Sequence, residues 1–252
     1  MTGPARRGPG NPEGVPRSVG RWGPGNPEGV PRSVGRWGPG NPEGVPRSIG
    51  PEPPAEPLDA AAVLELYRRA GGLRHGHFVL SSGRHSDTYL QSAVVLQWPA
   101  LAAALGRALA APWHGRVDVV VGPAMGGVVI GHDTAAALGV RMVFTERVDG
   151  AMALRRSLAV APGERALVVE NVVTTGGSAL EVAELLRAAG AEVAGLATIV
   201  DRLPEGATLP LEVHALARVE AASWDPADCP ACGAGVGPEA PGGRRGLPPL
   251  RR

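Results

Sequence analysis

The stretch Leu167–Ser178 reads LVVENVVTTGGS, an apolar run that passes through an acid and an amide and then breaks into two threonines, two glycines and a serine. The next segment, ALEVAELLRAAG (179–190), has the apolar spacing of a helix. Glycines let the backbone approach a ligand closely, and a helix N-terminus directs N–H groups and a positive dipole end toward it. The stretch therefore predicts a phosphate-binding turn between a strand and a helix, with hydroxyl donors from Thr174, Thr175 and Ser178.

The polar pair Glu170-Asn171 stands at the end of the predicted strand, just before this turn. A phosphosugar held by the turn would place its ribose hydroxyls there. A carboxylate and an amide both accept hydrogen bonds from vicinal hydroxyls, and a carboxylate also attracts Mg²⁺ held by a polyphosphate. The turn lacks the lysine of the nucleotide P-loop and the spacing of the dinucleotide fingerprint. The residues thus indicate a phosphosugar site, and a plain tight turn is the alternative.

Apolar strand patterns alternate with helix patterns on both sides of this stretch. Strands are predicted at 117–122, 140–144, 165–171, 193–201 and 211–219, with helices at 58–71, 99–113, 126–139 and 177–190. Residues 77–83 and 87–96 are predicted as short strands around a turn. This alternation predicts an α/β fold with a parallel sheet covered by helices on both faces. Ligands of such sheets bind beyond the carboxyl ends of the strands, which is where the predicted phosphate turn lies.

The composition argues against several classes of protein. The chain has 252 residues and a formal net charge of +1, which gives no electrostatic reason to expect nucleic acid or an anionic membrane as a partner. It shows neither an apolar run of membrane-spanning length nor a secretory signal. Two cysteines argue against a disulfide scaffold and are compatible with the cytoplasm. All 25 basic side chains are arginine, so a mechanism that requires lysine is excluded.

Three regions of the chain differ in composition. Residues 1–57 contain a Pro/Gly-rich 15-residue repeat, GPGNPEGVPRSVGRW, and are predicted to be disordered because they have few groups to bury. A proline-rich docking segment is the alternative interpretation. Residues 58–224 are predicted to form the folded domain, and residues 225–252 an irregular C-terminal tail rich in proline, glycine and arginine.

The predicted tail contains a single CxxC pair, CPAC (229–232). Zinc takes four ligands and one such pair supplies two, while a redox role would require a strand and a helix around the pair. Free thiols are therefore favoured over a redox pair or a zinc ion shared across a dimer. His85 and His132 have no assigned chemistry and are predicted to be surface or packing histidines.

The run LVVENVVTTGGSALEV resembles the phosphoribosyl-pyrophosphate (PRPP) motif of type I phosphoribosyltransferases. With the pieces at 78–91, 119–131, 144–148 and 199–202, residues 58–220 resemble the bacterial orotate phosphoribosyltransferase family. The resemblance implies a type I phosphoribosyltransferase-like parallel sheet flanked by helices, a small N-terminal hood segment over the base, and a mobile loop. It also implies transfer of the phosphoribosyl group of PRPP to N1 of orotate, giving orotidine 5′-monophosphate and pyrophosphate in UMP biosynthesis. The implied cofactor is Mg²⁺ held mainly by PRPP, and the implied protein is a cytoplasmic homodimer without nucleic-acid or membrane partners.

The resemblance also assigns roles to individual residues. PRPP would be bound by Glu170, Asn171, Val172, Val173, Thr174, Thr175, Gly176, Gly177 and Ser178. Pyrophosphate would contact Pro123, Ala124, Met125, Gly126, Gly127 and Arg147. Orotate would contact Ser82, Gly83, Arg84, Thr174 and Arg202. The implied catalytic residues are Arg147, Glu170 and Asn171, which would stabilise the leaving pyrophosphate and a sugar that becomes cationic in the transition state.

Three positions depart from the family pattern. The family usually has a second acid where Asn171 stands, many relatives have a lysine where Gly126 stands, and Arg147 replaces the principal lysine of the loop 144–158. Arginine keeps the charge and binds phosphate in a bidentate way, so a clamp role survives the exchange. Asn171 is open to two interpretations, a tolerated variant with slower turnover or a protein that binds PRPP without much chemistry.

Two other functions remain as alternatives at this stage. A purine phosphoribosyltransferase would share the phosphate turn, but a purine has no carboxylate for Arg202 to bind. A non-catalytic PRPP-sensing regulator would normally carry a basic face or an added helix-turn-helix, and the sequence shows neither. Arg202 itself could instead form a surface salt bridge with Asp201 or Glu205.

Overall fold

The computed structural model describes residues 57–80 and 82–241, so nearly all of the predicted repeat region 1–57 lies outside the described residues. The strands are β1 (Leu73–Val79), β2 (His85–Leu90), β3 (Val119–Pro123), β4 (Arg141–Val148), β5 (Ala151–Leu154), β6 (Arg165–Val173), β7 (Glu192–Asp201), β8 (Val213–Arg218) and β9 (Ser223–Trp224). The helices are α1 (Ala60–Arg69), α2 (Ser92–Leu96), α3 (Pro99–Ala110), α4 (Gly126–Leu138), α5 (Gly177–Ala188) and α6 (Pro230–Gly233).

The larger sheet has six strands in the order β5-β4-β3-β6-β7-β8. All neighbouring pairs are parallel except β4 with β5. Every residue of β3 is buried, as expected for a central parallel strand covered on both faces. The predicted α/β fold with a parallel sheet flanked by helices is confirmed.

Alternate side chains of the central strands pack into two apolar layers. Val120 faces the layer that includes residues of α1, α3 and α4, whereas Val119 and Val121 face the layer that includes residues of α5. Because successive side chains of a strand point to opposite faces, one short valine run supplies both layers. The sheet is thereby fixed between helices, and its carboxyl-end loops stand on a rigid support.

The predicted polar loop at 144–158 contains a hairpin. β4 continues through Val148, turns at Asp149-Gly150 and pairs antiparallel with β5. Both turn residues have positive φ, 49° for Asp149 and 90° for Gly150, which matches the two-residue turn that favours Asp-Gly in hairpins. The prediction of a loop was therefore wrong for residues 144–154, and the Asp-Gly pair was the available signal.

A second, smaller sheet has the order β1-β2-β9. Its third strand comes from the C-terminal part of the chain, and Glu239 extends the contact because its N–H donates to the His77 carbonyl and its carbonyl accepts from Val79. The predicted irregular tail thus contains a short helix, α6, and residues that pair with β1, within the described part up to 241. Local periodicity could not reveal this, because the partners are far apart in sequence.

None of the helices in the described part of the chain is long and apolar enough to cross a membrane.

Candidate active site

The predicted phosphate turn lies between β6 and α5 and lines a cleft of about 60 Å³ together with Glu170. Gly176 has φ of 76° and precedes the first helical residue, Gly177, without a side-chain cap. A Cβ on Gly176 would fall 2.6 Å from Leu209 Cδ2, so a side chain there would displace Leu209 and strain a backbone conformation that favours glycine. Thr174 and Thr175 are exposed. The open helix N-terminus and these hydroxyls provide donors for a phosphate group.

A second turn, between β3 and α4, stands beside the first, because β3 and β6 are adjacent parallel strands. α4 begins at Gly126, and its N-cap residue Met125 is exposed and contributes no side-chain cap. A Cβ on Gly127 would come within 2.5 Å of the Val169 carbonyl oxygen, so this glycine lets α4 pack closely on β6. Two uncapped helix N-termini therefore lie at the same edge of the sheet, which suits a ligand with two separated phosphate groups.

Glu170 and Asn171 both lie on β6, which extends past them to Val173. Burial raises the pKa of Glu170 to about 7, and a backbone hydrogen bond involving Asn171 offsets part of this rise. Asn171 Oδ1 accepts a hydrogen bond of 2.8 Å from the N–H of Val172. Glu170 is thus a carboxyl group that gains or loses its charge near neutral pH, next to an amide that stays neutral.

Arg202 lies one strand further along, directly after β7. Its N–H donates to the Val173 carbonyl at 2.8 Å, which places the residue beside the start of the phosphate turn. Its Nε is buried and without a hydrogen-bond partner. Burial lowers the pKa of its guanidinium, and Asp87 on β2 partly offsets the effect. Within the described residues, Asp201 pairs instead with Arg218 at 3.1 Å, so the alternative of a salt bridge between Arg202 and Asp201 is not what the structure shows.

Arg147 is held by the helix that begins at the phosphate turn. Its Nη2 lies 2.8 Å from Glu181 Oε2 on α5, and its Nη1 donates to the Gly150 carbonyl. Glu181 also accepts from the N–H of Met152 at 2.7 Å. Glu181 was missed by the sequence analysis, since nothing local links it to the hairpin. Arg156, in the same loop, pairs with Glu146 at 2.9 Å.

The segment predicted to cover the base forms the exposed turn of the β1–β2 hairpin. Ser82 and Gly83 are exposed, and Gly83 has φ of 83°. The guanidinium of Arg84 is bound to the C-terminal segment, with 2.7 Å from Nη2 to the Ser223 carbonyl and 3.0 Å from Nη1 to Asp225 Oδ1. The structure thus directs Arg84 toward these partners, and its role in orotate binding stays a prediction.

These features define a class of protein. Residues 93–209 match the family model described as a phosphoribosyl transferase domain. Strands β3 to β7, the two glycine turns and the polar pair on β6 all fall within that range, so the match includes the two turns and Arg202.

Similarity to individual proteins narrows the class. The chain is 46% identical over 184 residues to the orotate phosphoribosyltransferase of Pelotomaculum thermopropionicum, which covers 73% of this chain and 97% of that protein. The crystal structure of orotate phosphoribosyltransferase from Mycobacterium tuberculosis superimposes with a TM-score of 0.52 and 28% identity, covering 64% of this chain and 97% of that one. The enzyme of that name from Aeropyrum pernix gives a TM-score of 0.54 and 25% identity, covering 62% of this chain and 93% of that one. The chain belongs to the orotate phosphoribosyltransferase family.

Proposed function

We propose that this protein transfers the phosphoribosyl group of PRPP to N1 of orotate, giving orotidine 5′-monophosphate and pyrophosphate. The observation that carries the proposal is the position of Arg202, a guanidinium with a buried, unbonded Nε, next to the open phosphate turn. A planar guanidinium binds a carboxylate through two parallel hydrogen bonds. A base that carries a carboxylate, placed beside a ribose 5-phosphate, satisfies both halves of the site.

The chain's own residues have separate tasks in this reaction. The turn Thr174–Ser178 binds the 5′-phosphate, and Glu170 accepts hydrogen bonds from the ribose hydroxyls. The N-terminus of α4 receives the pyrophosphate. Arg147, which stands where the family has its principal loop lysine, supplies a positive charge to it. N1 of orotate gives up its proton to solvent and bonds to C1 of the ribose while the bond from C1 to pyrophosphate breaks, and the electron pair of that bond leaves with pyrophosphate. Catalysis then depends on orientation and charge stabilisation and needs no nucleophile from the protein.

The proposal includes a Mg²⁺ ion that binds together with PRPP. Glu170 fits such an ion, because a carboxylate is a hard oxygen donor. Its pKa is raised to about 7, and a cation beside it would favour the negatively charged form. The ion would be held mainly by the oxygens of PRPP and would neutralise the leaving pyrophosphate. A homodimer in the cytoplasm is proposed as well, on the resemblance to the family and on the presence of only two cysteines.

The alternatives predict different ligands. A purine phosphoribosyltransferase would leave the Arg202 guanidinium without a carboxylate to bind, although it would use the same phosphate turn. A PRPP-sensing regulator would bind PRPP without consuming a base. The sequence identity of 46% over nearly the whole length of an orotate phosphoribosyltransferase supports the orotate enzyme over both.

One assay tests the proposal. Purified protein, PRPP, Mg²⁺ and orotate are mixed, and the loss of orotate absorbance is followed with time. Adenine, hypoxanthine and uracil serve as controls in parallel reactions. We expect turnover of orotate alone. Consumption of a purine would favour the first alternative, and PRPP binding without consumption of any base would favour the second.

A further inference from the structure

Four side chains with metal-binding chemistry meet where the β1–β2 hairpin contacts the C-terminal segment. One candidate ligand atom from each side chain lies within 4.8 Å of all the others. The residues, here called the Cys–His cluster, are His77, His85, Cys229 and Cys232. His77 and Cys229 are 152 positions apart, so the cluster is assembled by the fold and not by a local motif.

The separations within the Cys–His cluster suit a tetrahedral ion. His77 Nε2 lies 2.8 Å from His85 Nδ1 and 3.3 Å from Cys229 Sγ. Cys232 Sγ lies 3.3 Å from His85 Nδ1 and 3.7 Å from His77 Nε2. Usual zinc bond lengths place nitrogen and sulfur ligands about 3.3–3.8 Å apart around a tetrahedral centre. To reach that geometry the two imidazole nitrogens, 2.8 Å apart, would separate slightly, and any ligand atoms as far apart as the 4.8 Å limit of the cluster would approach each other.

The other ring nitrogen of His77, Nδ1, already has a hydrogen-bond partner. Its Nδ1 lies 2.7 Å from the Val236 carbonyl oxygen, and a carbonyl only accepts, so Nδ1 carries the proton and donates. Nε2 is then the nitrogen with a free lone pair, and it faces Cys229. A backbone carbonyl that orients the ring in this way is a common second contact of zinc-bound histidines.

Burial and charge favour a closed structural site. Both histidines and Cys229 are buried, while Cys232 closes the cluster on the solvent side. Two thiolates bring two negative charges, which are costly to bury alone and which Zn²⁺ neutralises. Each thiol loses its proton on binding, so two protons are released for one ion. Four protein ligands leave no open position on the metal, so the ion would stabilise structure and not take part in catalysis.

We propose that the Cys–His cluster binds one Zn²⁺ ion that fastens the C-terminal segment to the β1–β2 hairpin. The same segment binds Arg84 of the hairpin through Ser223 and Asp225. The ion therefore holds in position the hairpin that, in the proposed function, lies over the base. From the sequence alone, only the two cysteines are candidate ligands, and free thiols are favoured. In the structure His77 and His85 bring the number of candidate ligands to four, and His85 is buried, as predicted for a packing histidine.

Metal content tests the proposal independently of catalysis. The full chain is purified without chelator, and zinc is measured by atomic emission against protein concentration. We expect one zinc per chain in the wild type and loss of most of it in Cys229→Ser and in Cys232→Ser, the variant of the more exposed cysteine. His132→Ala is the matched control, since His132 is an exposed histidine on α4, and it should keep its zinc.

Cobalt substitution checks the ligand set. Co²⁺ in a site with two thiolates and two imidazoles gives strong visible d–d bands and a thiolate charge-transfer band, and these bands should vanish in Cys232→Ser. Circular dichroism of each variant separates loss of metal from failure to fold. Absence of bound zinc in a folded wild type, full zinc retention in both cysteine variants, or a Cys229–Cys232 disulfide in the freshly purified protein would each overturn the proposal.

Discussion

The side-chain amide of Asn171 lies directly against the Cα of Gly126. A Cβ on Gly126 would fall 2.6 Å from Asn171 Oδ1 and 3.0 Å from Asn171 Nδ2. These are two of the three positions at which the sequence departs from the family pattern, so the departures are in contact with each other. A side chain at 126 requires the side chain at 171 to move, and Asn171 is itself bonded to the Val172 N–H.

We expect Gly126→Ala to lower kcat/KM for PRPP, because the new methyl group displaces the Asn171 amide from the ribose site. Asn171→Ala removes the atoms that the methyl group would meet. In a double-mutant cycle, Gly126→Ala should therefore cost little in the Asn171→Ala background, and the coupling should be about 0.5–3 kcal/mol. Steady-state kinetics on the four proteins measures it. Additive losses would show that the contact has no effect on activity.

Asn171→Asp should raise turnover and leave PRPP affinity within a few-fold of the wild type. The added charge faces a sugar that becomes cationic only as its bond to pyrophosphate breaks, so it stabilises the transition state more than the ground state. Glu170 complicates the result, because its raised pKa would rise further beside a second carboxylate. The gain should then be small at neutral pH and grow as pH rises. Lower turnover at every pH, with PRPP binding intact, would contradict this prediction.

Arg202→Ala should raise the KM for orotate far more than the KM for PRPP. Loss of a charge-assisted contact is worth roughly 1.5–3 kcal/mol, or about 10- to 150-fold. Arg218→Ala is the matched control, because Arg218 lies on the adjacent strand and pairs with Asp201. It should change neither KM selectively. Equal effects of Arg202→Ala on both substrates would argue against a carboxylate contact.

The raised pKa of Glu170, about 7, predicts a pH dependence of activity. If the carboxylate form binds the ribose, kcat/KM for PRPP should fall about tenfold per pH unit well below pH 7 and level off above it. Glu170→Gln should remove this limb of the profile. Glu164→Gln, which loses the pair with Arg141 near the start of β4, should keep it. An unchanged profile in Glu170→Gln would assign the limb to another group.

The same group links stability to pH in the ligand-free protein. Its folded pKa lies above the ordinary value of 4.5, so the protonated form is the one that folding favours. This contribution is fully present below about pH 4.5 and is lost as pH rises through about 7. Melting temperatures of the wild type and Glu170→Gln should therefore diverge across this window, with the variant relatively more stable at the upper end.

The sequence predicted the parallel core of the fold well. β3, β6 and β7 are apolar runs, and the helices after β3 and β6 begin at glycines, so each element has a local signal. The turn between β6 and α5 was located for the same reason, since strand, turn and helix are consecutive in the chain, and its binding of phosphate stays a prediction. Site geometry that depends on contacts within such a unit is accessible from sequence.

Other features depend on distant residues and could not be predicted. The partner of Arg147 is Glu181, 34 positions away. The two side chains meet only because the β4–β5 hairpin packs on α5. Arg84 is bound by Asp225, which is 141 positions away. A charged side chain carries no local signal of its partner, because many opposite charges satisfy it equally well before the fold is known.

The long separation between the β1–β2 hairpin and its C-terminal partners affects the order in which the chain can fold during synthesis. His77 binds the carbonyl of Val236, 159 positions later, whereas β8, the last strand of the larger sheet, ends at Arg218. At roughly 5–20 residues per second on the ribosome, about 8–30 s pass between the synthesis of His77 and that of Val236. All six strands of the larger sheet have been made by then. The small sheet is therefore the last part of the structure to be completed.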